Sequence, residues 1–446
     1  MKKMKNKFKQ GAASFYIVVF STLVLLIVAT SFATIIISEI ERASNDDLSQ
    51  SAYDSALAGV EDAKLAFYNY QNCLAQDSMN AKCQEIVNYM KNADCDMVGH
   101  ILGRIDASDN EEVAIQETTT VKNNMQQAYT CVKVETELED YRSTLSSSVQ
   151  YKVVKLKFQE GVNASQIKKM KISWYTDDDA ATRRWQNVSG TNGTVKFPGL
   201  TTGVSLPAVP PTISVALVQT AQSFTLDQFT MTQGNTTNRG MVYLVPASTT
   251  TQATSDAADN RKGAWNTTEN QNHIGTSAFL SSNDKTATNL PYTVYCDFAG
   301  AFACSTLIDI PEPVGGARND DTFMFVVSLP YGKPTTDFAL EFYCDTECAT
   351  EVYTDETGKE TTRKTNRVNL SGVQVKVDST GRANDLYRRV ETRLESAAND
   401  ANLSVMGPLE LTAGTSGSGN GSGNYVLQKT EAVTKEWNFT NNWYMK

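Results

Sequence analysis

Apolar and polar positions divide this chain into a helical front and a strand-rich remainder. Ala12 to Ser38 is a run of 27 residues without a charge, longer than the roughly 20 that a helix needs to cross a bilayer. Downstream, Ala52, Tyr53, Ala56, Leu57, Val60, Ala63, Phe67 and Tyr70 recur at spacings of three, four and seven, the stripe of one helix face. Asp54, Glu61, Asp62 and Lys64 fall away from it. Gly59 is the only glycine, and no proline intervenes. The pattern predicts one long helix, residues 12–71. Residues 72–128 still read as helical, with Ile86, Tyr89, Met90, Met97, Ile101 and Leu102 at approximate helical spacing.

After Tyr129 the period changes to two. Tyr129 to Glu135, Tyr151 to Phe158 and Ile167 to Trp174 alternate, as half-buried strands do. Strand-like runs continue at Ile213–Val218, Phe224–Met231 and Met241–Val245, with Pro198, Pro207, Pro210 and Pro211 marking loops. We read residues 129–246 as a β-rich domain. Residues 247–289 are dense in Thr, Ser, Asn and Gln and hold too few apolar groups to bury much surface, so an exposed loop is expected. A second β-rich domain is expected over 290–446. Its candidate strands are Tyr292–Cys296, Thr322–Leu329, Phe338–Cys344, Val368–Val377, Leu386–Leu394, Tyr425–Leu427 and Val433–Phe439. The glycines of Thr412–Asn424 do not open a helix after a strand, so they mark a hairpin loop and not a nucleotide site. The expected class is α+β: a long N-terminal helix and a short helical segment, then a large β-rich region of antiparallel sheet or sandwich type.

Charge gives the first helix a direction. Residues 1–11 form a leader carrying Lys2, Lys3, Lys5, Lys7 and Lys9 and no acidic residue, which the positive-inside rule retains in the cytoplasm. Three readings fit: a secretory signal peptide with Ser31-Phe32-Ala33 as its cleavage site, a simple signal anchor, or a leader cut at Gly11–Ala12. The first is disfavoured by an apolar core running from Phe15 to Ile37, beyond the roughly 7–15 residues usual for such peptides.

The basic leader, the Gly11-Ala12 junction and the charge-free run resemble the N-terminus of type IV pilins and pseudopilins. Ser55-Ala56-Leu57-Ala58-Gly59-Val60-Glu61-Asp62-Ala63 is similar to the Ala-rich segment of PilX-type minor pilins, with Leu57 where that pattern has Glu. The likeness covers roughly residues 7–70. It implies cleavage after Gly11 by a prepilin peptidase and N-methylation of Ala12. It also implies a helix that holds the subunit in membrane lipid until assembly and then packs with other pilins, in concert with the assembly machinery. Major pilins carry a Glu at the fifth mature residue, used to neutralise a neighbouring subunit's terminal ammonium. Here Tyr16 holds that place, and no carboxylate occurs before Glu39. That absence, shared with PilX-like and GspK-like proteins, implies a place at the filament tip. The expected role is priming assembly, with adhesion to a surface ligand. The alternative is a single-pass membrane-anchored surface binding protein outside any filament.

Composition narrows the chemistry. A net charge of −10 speaks against nucleic acid as the main partner. Lys168-Lys169-Met170-Lys171 and Arg388-Arg389 are short basic clusters on strand-like segments and read as solvated faces. Eight cysteines follow the apolar run: Cys73, Cys83, Cys95, Cys131, Cys296, Cys304, Cys344 and Cys348. None has C-x-x-C spacing, and the chain has only two histidines, His100 and His273. Disulfides in an extracytoplasmic segment are therefore expected over a metal site. Pairing is expected within the early four and the late four, with Cys296–Cys304 and Cys344–Cys348 as short loops. A crossing of Cys296 or Cys304 to Cys344 or Cys348 stays open. The chain has no H-E-x-x-H, phosphate-binding loop or G-x-S-x-G. Asp177-Asp178-Asp179 lacks the alternating ligand pattern of a calcium loop. No catalytic, cofactor-binding or metal residue is assigned. The Asn187, Asn266 and Asn438 sequons arise by chance in a chain this rich in Asn and Thr. The expected location is the cytoplasmic membrane, with residues after Ser38 outside, and then the cell surface or pilus.

Overall fold

The structure is a computed structural model that describes residues 7–74, 80–92, 94–105, 112–115, 126–175, 210–247, 264–266, 271–280, 291–296, 301–330, 335–354, 360–395, 412–413 and 425–426. Lys2, Lys3, Lys5, the Asp177–Asp179 run, Asn187, Asn438, Pro198, Pro207, the glycines 417–421 and Val433–Phe439 lie outside the described residues. The chain is α+β, a long N-terminal helix followed by a β-rich region. It divides into two compact units, Met1–Glu135 with Lys376–Arg393, and Thr136–Val375 with Leu394–Lys446.

In the first unit, helix α1 runs Lys7–Leu74 without interruption, about 100 Å at 1.5 Å per residue. No proline occurs in it, and its hydroxyl side chains do not break it. Two short helices follow, α2 at Ala81–Asn92 and α3 at Met97–Leu102. α2 buries Cys83, Ile86 and Met90, and α3 buries Met97, Val98 and Ile101. Gly103, at φ +65°, ends α3 in a left-handed conformation that favours glycine. Helical periodicity therefore stops short of the expected residue 128. The strand Val113–Ala114 follows instead, pairing with Ala128–Leu138. That pair belongs to a four-stranded sheet in the order Val113–Ala114, Ala128–Leu138, Leu370–Ala383, Leu386–Glu395.

The second unit contains two larger sheets. One runs Ala264–Asn266, Gln271–Ile274, Cys304–Asp309, Ile167–Trp174, Thr336–Cys344, Arg367–Val368, and Tyr141–Leu145 also pairs with Thr336–Cys344. The other runs Pro291–Tyr295, Arg239–Ala247, Ile213–Val218, Met324–Ser328, Tyr151–Lys155. Most neighbours are antiparallel, but Gln271–Ile274 with Cys304–Asp309 and Pro291–Tyr295 with Arg239–Ala247 are parallel, so both sheets are mixed. Strands from residues 129–246 and from 290–446 alternate within the same sheets, and two short strands arise inside 247–289. Sequence separation hides this interleaving, because the apolar faces of both blocks enter one core. Phe325 and Phe342, one from each sheet, have ring centroids 5.7 Å apart, and Trp174, fully buried, donates Nε1–H to the Pro211 carbonyl at 2.9 Å.

Phe224–Met231, expected as a strand, instead contains the 3-10 turn Leu226–Thr230. The Gln228 amide oxygen accepts from the Thr225 N–H at 3.0 Å while the Gln228 N–H returns to the Thr225 carbonyl at 2.9 Å. The backbone bond closes a helical turn and the Gln228 side chain satisfies the N–H at its start, a local pairing that outweighs the alternation.

Candidate functional site

The candidate site is α1. Gly11 and Ala12 lie within its helical backbone. Every side chain from Phe15 to Asp47 is exposed, including Phe15, Tyr16, Phe20, Leu25, Leu26, Phe32 and Ile37. Such a continuous apolar surface is costly in water. α1 is the one helix among the described residues that is long and apolar enough to cross a membrane, which makes it a candidate single-pass anchor.

The polar atoms of this run are satisfied inside it. The hydroxyls of Ser21, Thr22, Thr30, Ser31 and Thr34 donate to carbonyls three or four residues earlier, at 2.8–3.0 Å. Hydrocarbon offers no partner, so groups bonded back to their own helix are those tolerated there.

From Ser51 onward the same helix becomes part of a folded core. Its inner face consists of Ser51, Ala52, Ser55, Ala56, Gly59, Val60, Ala63, Ala66 and Phe67. Tyr53 and Leu57, placed on that face by spacing, are exposed. The cause is close approach: the strand Leu370–Ala383 lies so near that a Cβ on Gly381 would overlap the backbone of Ala52 and Ala56. Ser379 Oγ donates to the Ala56 carbonyl at 2.7 Å. Only small residues fit at Ala52, Ser55 and Ala56, so there the helix turns its alanines inward and Tyr53 and Leu57 out. The readable signal was the small residues at 52, 55, 56, 59, 63 and 66, which a hydrophobicity count passes over.

One polar cluster fixes the far part of this contact. The Tyr129 hydroxyl donates to Asp62 Oδ2 at 2.8 Å, and Arg104 Nη2 donates to Asp62 Oδ1 at 2.7 Å. Burial, and then the hydrogen bond to the Asp62 carboxylate, push the Tyr129 phenol well above its usual value, because ionising it would place two negative charges together in a desolvated site.

All eight cysteines are joined: Cys73–Cys83, Cys95–Cys131, Cys296–Cys304 and Cys344–Cys348. His100 Nε2 lies 3.1 Å from Asp96 Oδ2, with its ring stacked on Tyr89. His273 Nε2 lies 2.9 Å from Asp309 Oδ1. Among the described residues no three His, Cys, Asp or Glu gather as a ligand set. The basic clusters are engaged by neighbours. Lys168 pairs with Glu312, Lys169 with Asp345 at 3.5 Å and Lys171 with Glu341 at 3.0 Å. Arg389 pairs with Asp378, and Arg388 donates to Ser49 Oγ at 2.8 Å.

The second unit holds a group that sequence reading did not single out. Arg318 is 1% exposed. Its guanidinium donates to Gln219 Oε1 and to the carbonyls of Ala164, Ile167 and Pro311 at 2.5–2.9 Å, and lies 4.5 Å from the Phe323 ring centroid. Its nearest carboxylate, Glu312, is 3.9 Å away. Burial pushes Arg318 down to about 10, with Glu312 opposing the shift. A planar fork of donors suits four acceptors in fixed positions, but nothing in the local sequence marks such a site.

Comparison with protein-family models, with curated proteins and with solved structures finds no match to this chain.

Proposed function

We propose that this protein is a PilX-like minor pilin, held in the membrane by α1 until assembly and placed at the filament tip, where it primes assembly and contacts a surface ligand. The observation that carries this reading is the continuity of α1. One helix passes from a bare apolar half, through a polar stretch exposed on every side, into a small-residue contact with a folded unit. A simple anchor needs only about 20 residues of helix and gains nothing from an unbroken extension beyond the membrane. A helix that first sits in lipid and later packs among other helices needs that whole length. The basic leader, the Gly11-Ala12 junction and Tyr16 in the place of the usual Glu support the same reading. Prepilin peptidase, the assembly machinery and other pilins are the partners it requires.

Mass spectrometry of the N-terminus of protein isolated from its native membrane tests it. A chain starting at methylated Ala12 is expected, and Gly11→Val should leave the leader attached and filaments absent. An intact leader on the wild-type chain overturns the reading and leaves a single-pass surface protein. Immunogold labelling along the shaft would overturn the tip placement alone.

A further inference from the structure

In the second unit, an open groove of about 640 Å³ is lined by Lys168, Gln233, Thr236, Glu312, Gly315 and Gly316, among others. Two cations share a single carboxylate there. Lys168 pairs with Glu312 at the groove, while the buried Arg318 has Glu312 as its nearest acidic group at 3.9 Å. The three charges sum to one positive charge, in a chain whose net charge is −10. A cation in low dielectric beneath a concave surface focuses its field into the open space. Backbone of the segment 315–317 also lines the groove. Gly315 and Gly316 have φ of +104° and +136°, and their N–H groups, with that of Ala317, meet no acceptor among the described residues. Gly316 has open space where a Cβ would stand, so a ligand can approach the backbone closely.

We propose that this groove binds the carboxylate of a small monoanionic ligand, between Lys168 and the Gly315–Ala317 backbone. A single net positive charge matches one negative charge. A phosphate dianion would meet Glu312 with its second charge, so the balance favours carboxylate over phosphate. The sequence around Gly315-Gly316 carries no recognised anion motif. The assignment stands apart from the pilin reading, since it uses residues of the second unit alone.

Titration calorimetry of the full chain in detergent micelles tests it, with glucuronate, N-acetylglycine, glucose and inorganic phosphate as probes. Saturable binding of glucuronate or N-acetylglycine is expected, with phosphate at least tenfold weaker and glucose silent. Glucuronate alone would identify a sugar acid, N-acetylglycine alone a peptide-type carboxylate, and both the carboxylate itself. Lys168→Met should weaken binding at least fivefold. Glu312→Gln, which removes the competing carboxylate, should tighten it at least threefold, a gain that a folding defect would not produce. Thermal melts of both variants accompany the titrations; should Glu312→Gln fail to fold, Lys168→Met decides. Absence of binding by either carboxylate, phosphate binding as tightly, glucose binding equal to glucuronate, an unchanged Lys168→Met or a folded Glu312→Gln that binds no tighter would each overturn the proposal.

Discussion

Gly381 lies directly against the backbone of Ala56, so closely that no β-carbon fits between strand and helix. This contact predicts a severe effect from a minimal change. Gly381→Ala should destabilise the first unit by at least the roughly 1–3 kcal/mol typical of overpacking, because the obstacle is main chain and cannot rotate away. Gly59→Ala meets the Ser379 hydroxyl and Val132 Cγ2, the latter 2.8 Å from an ideal Cβ. Those are side-chain atoms, and the cost should be smaller. Thermal melts of both variants in micelles give the order.

Alkali should loosen the Tyr129 cluster. The folded phenol is held above its ordinary value of 10.0, so above about pH 10 the unfolded chain releases a proton that the folded chain retains. Stability from this group is complete below pH 10 and is lost as the pH rises beyond it. Tyr343, raised by burial and by its hydrogen bond to Glu341, acts in the same sense. Tyr129→Phe should flatten the decline between pH 9.5 and 11, read by near-ultraviolet circular dichroism. A slope equal to wild type would contradict the assignment.

The four disulfides should contribute unequally. Cys95–Cys131 spans 36 residues of sequence and Cys344–Cys348 only 4. Loop-closure entropy gives about 4 and about 2 kcal/mol respectively. Replacing Cys95 and Cys131 together with Ser should lower the urea midpoint more than replacing Cys344 and Cys348.

Arg318 tests whether a fork of donors, and not only a charge, is required. Arg318→Lys keeps the charge but cannot span Gln219 and three carbonyls. Unsatisfied buried acceptors cost roughly 1–3 kcal/mol each. Both Arg318→Lys and Arg318→Met should therefore lower the urea midpoint by a similar amount. Full rescue by Lys would show that charge alone matters.

The long helix was legible because its apolar run and absent prolines are local properties of the chain. The strand Ile167–Trp174 was legible for the same reason, since alternation is visible within eight residues. The helix face was misjudged at Tyr53 and Leu57, because spacing cannot tell an alanine pressed against a backbone from one facing water. The interleaved sheets escaped because pairing such as Met324–Ser328 with Tyr151–Lys155 joins segments far apart in the chain. Arg318 was hidden most completely: its four acceptors come from residues 164, 167, 219 and 311, and no window of sequence holds them together.

The unbroken course of α1 has a mechanical consequence. Tension on its apolar half is carried along consecutive backbone hydrogen bonds, with no hinge residue to yield before Gly59. The load then passes sideways at Ala52 to Gly59, where the strand bearing Ser379 and Gly381 is pressed against the helix. Beyond it, Cys73–Cys83 ties the last turn of α1 to α2 by a covalent bond. The helix is thus clamped along its side and fastened at its far end, the arrangement of a tow bar.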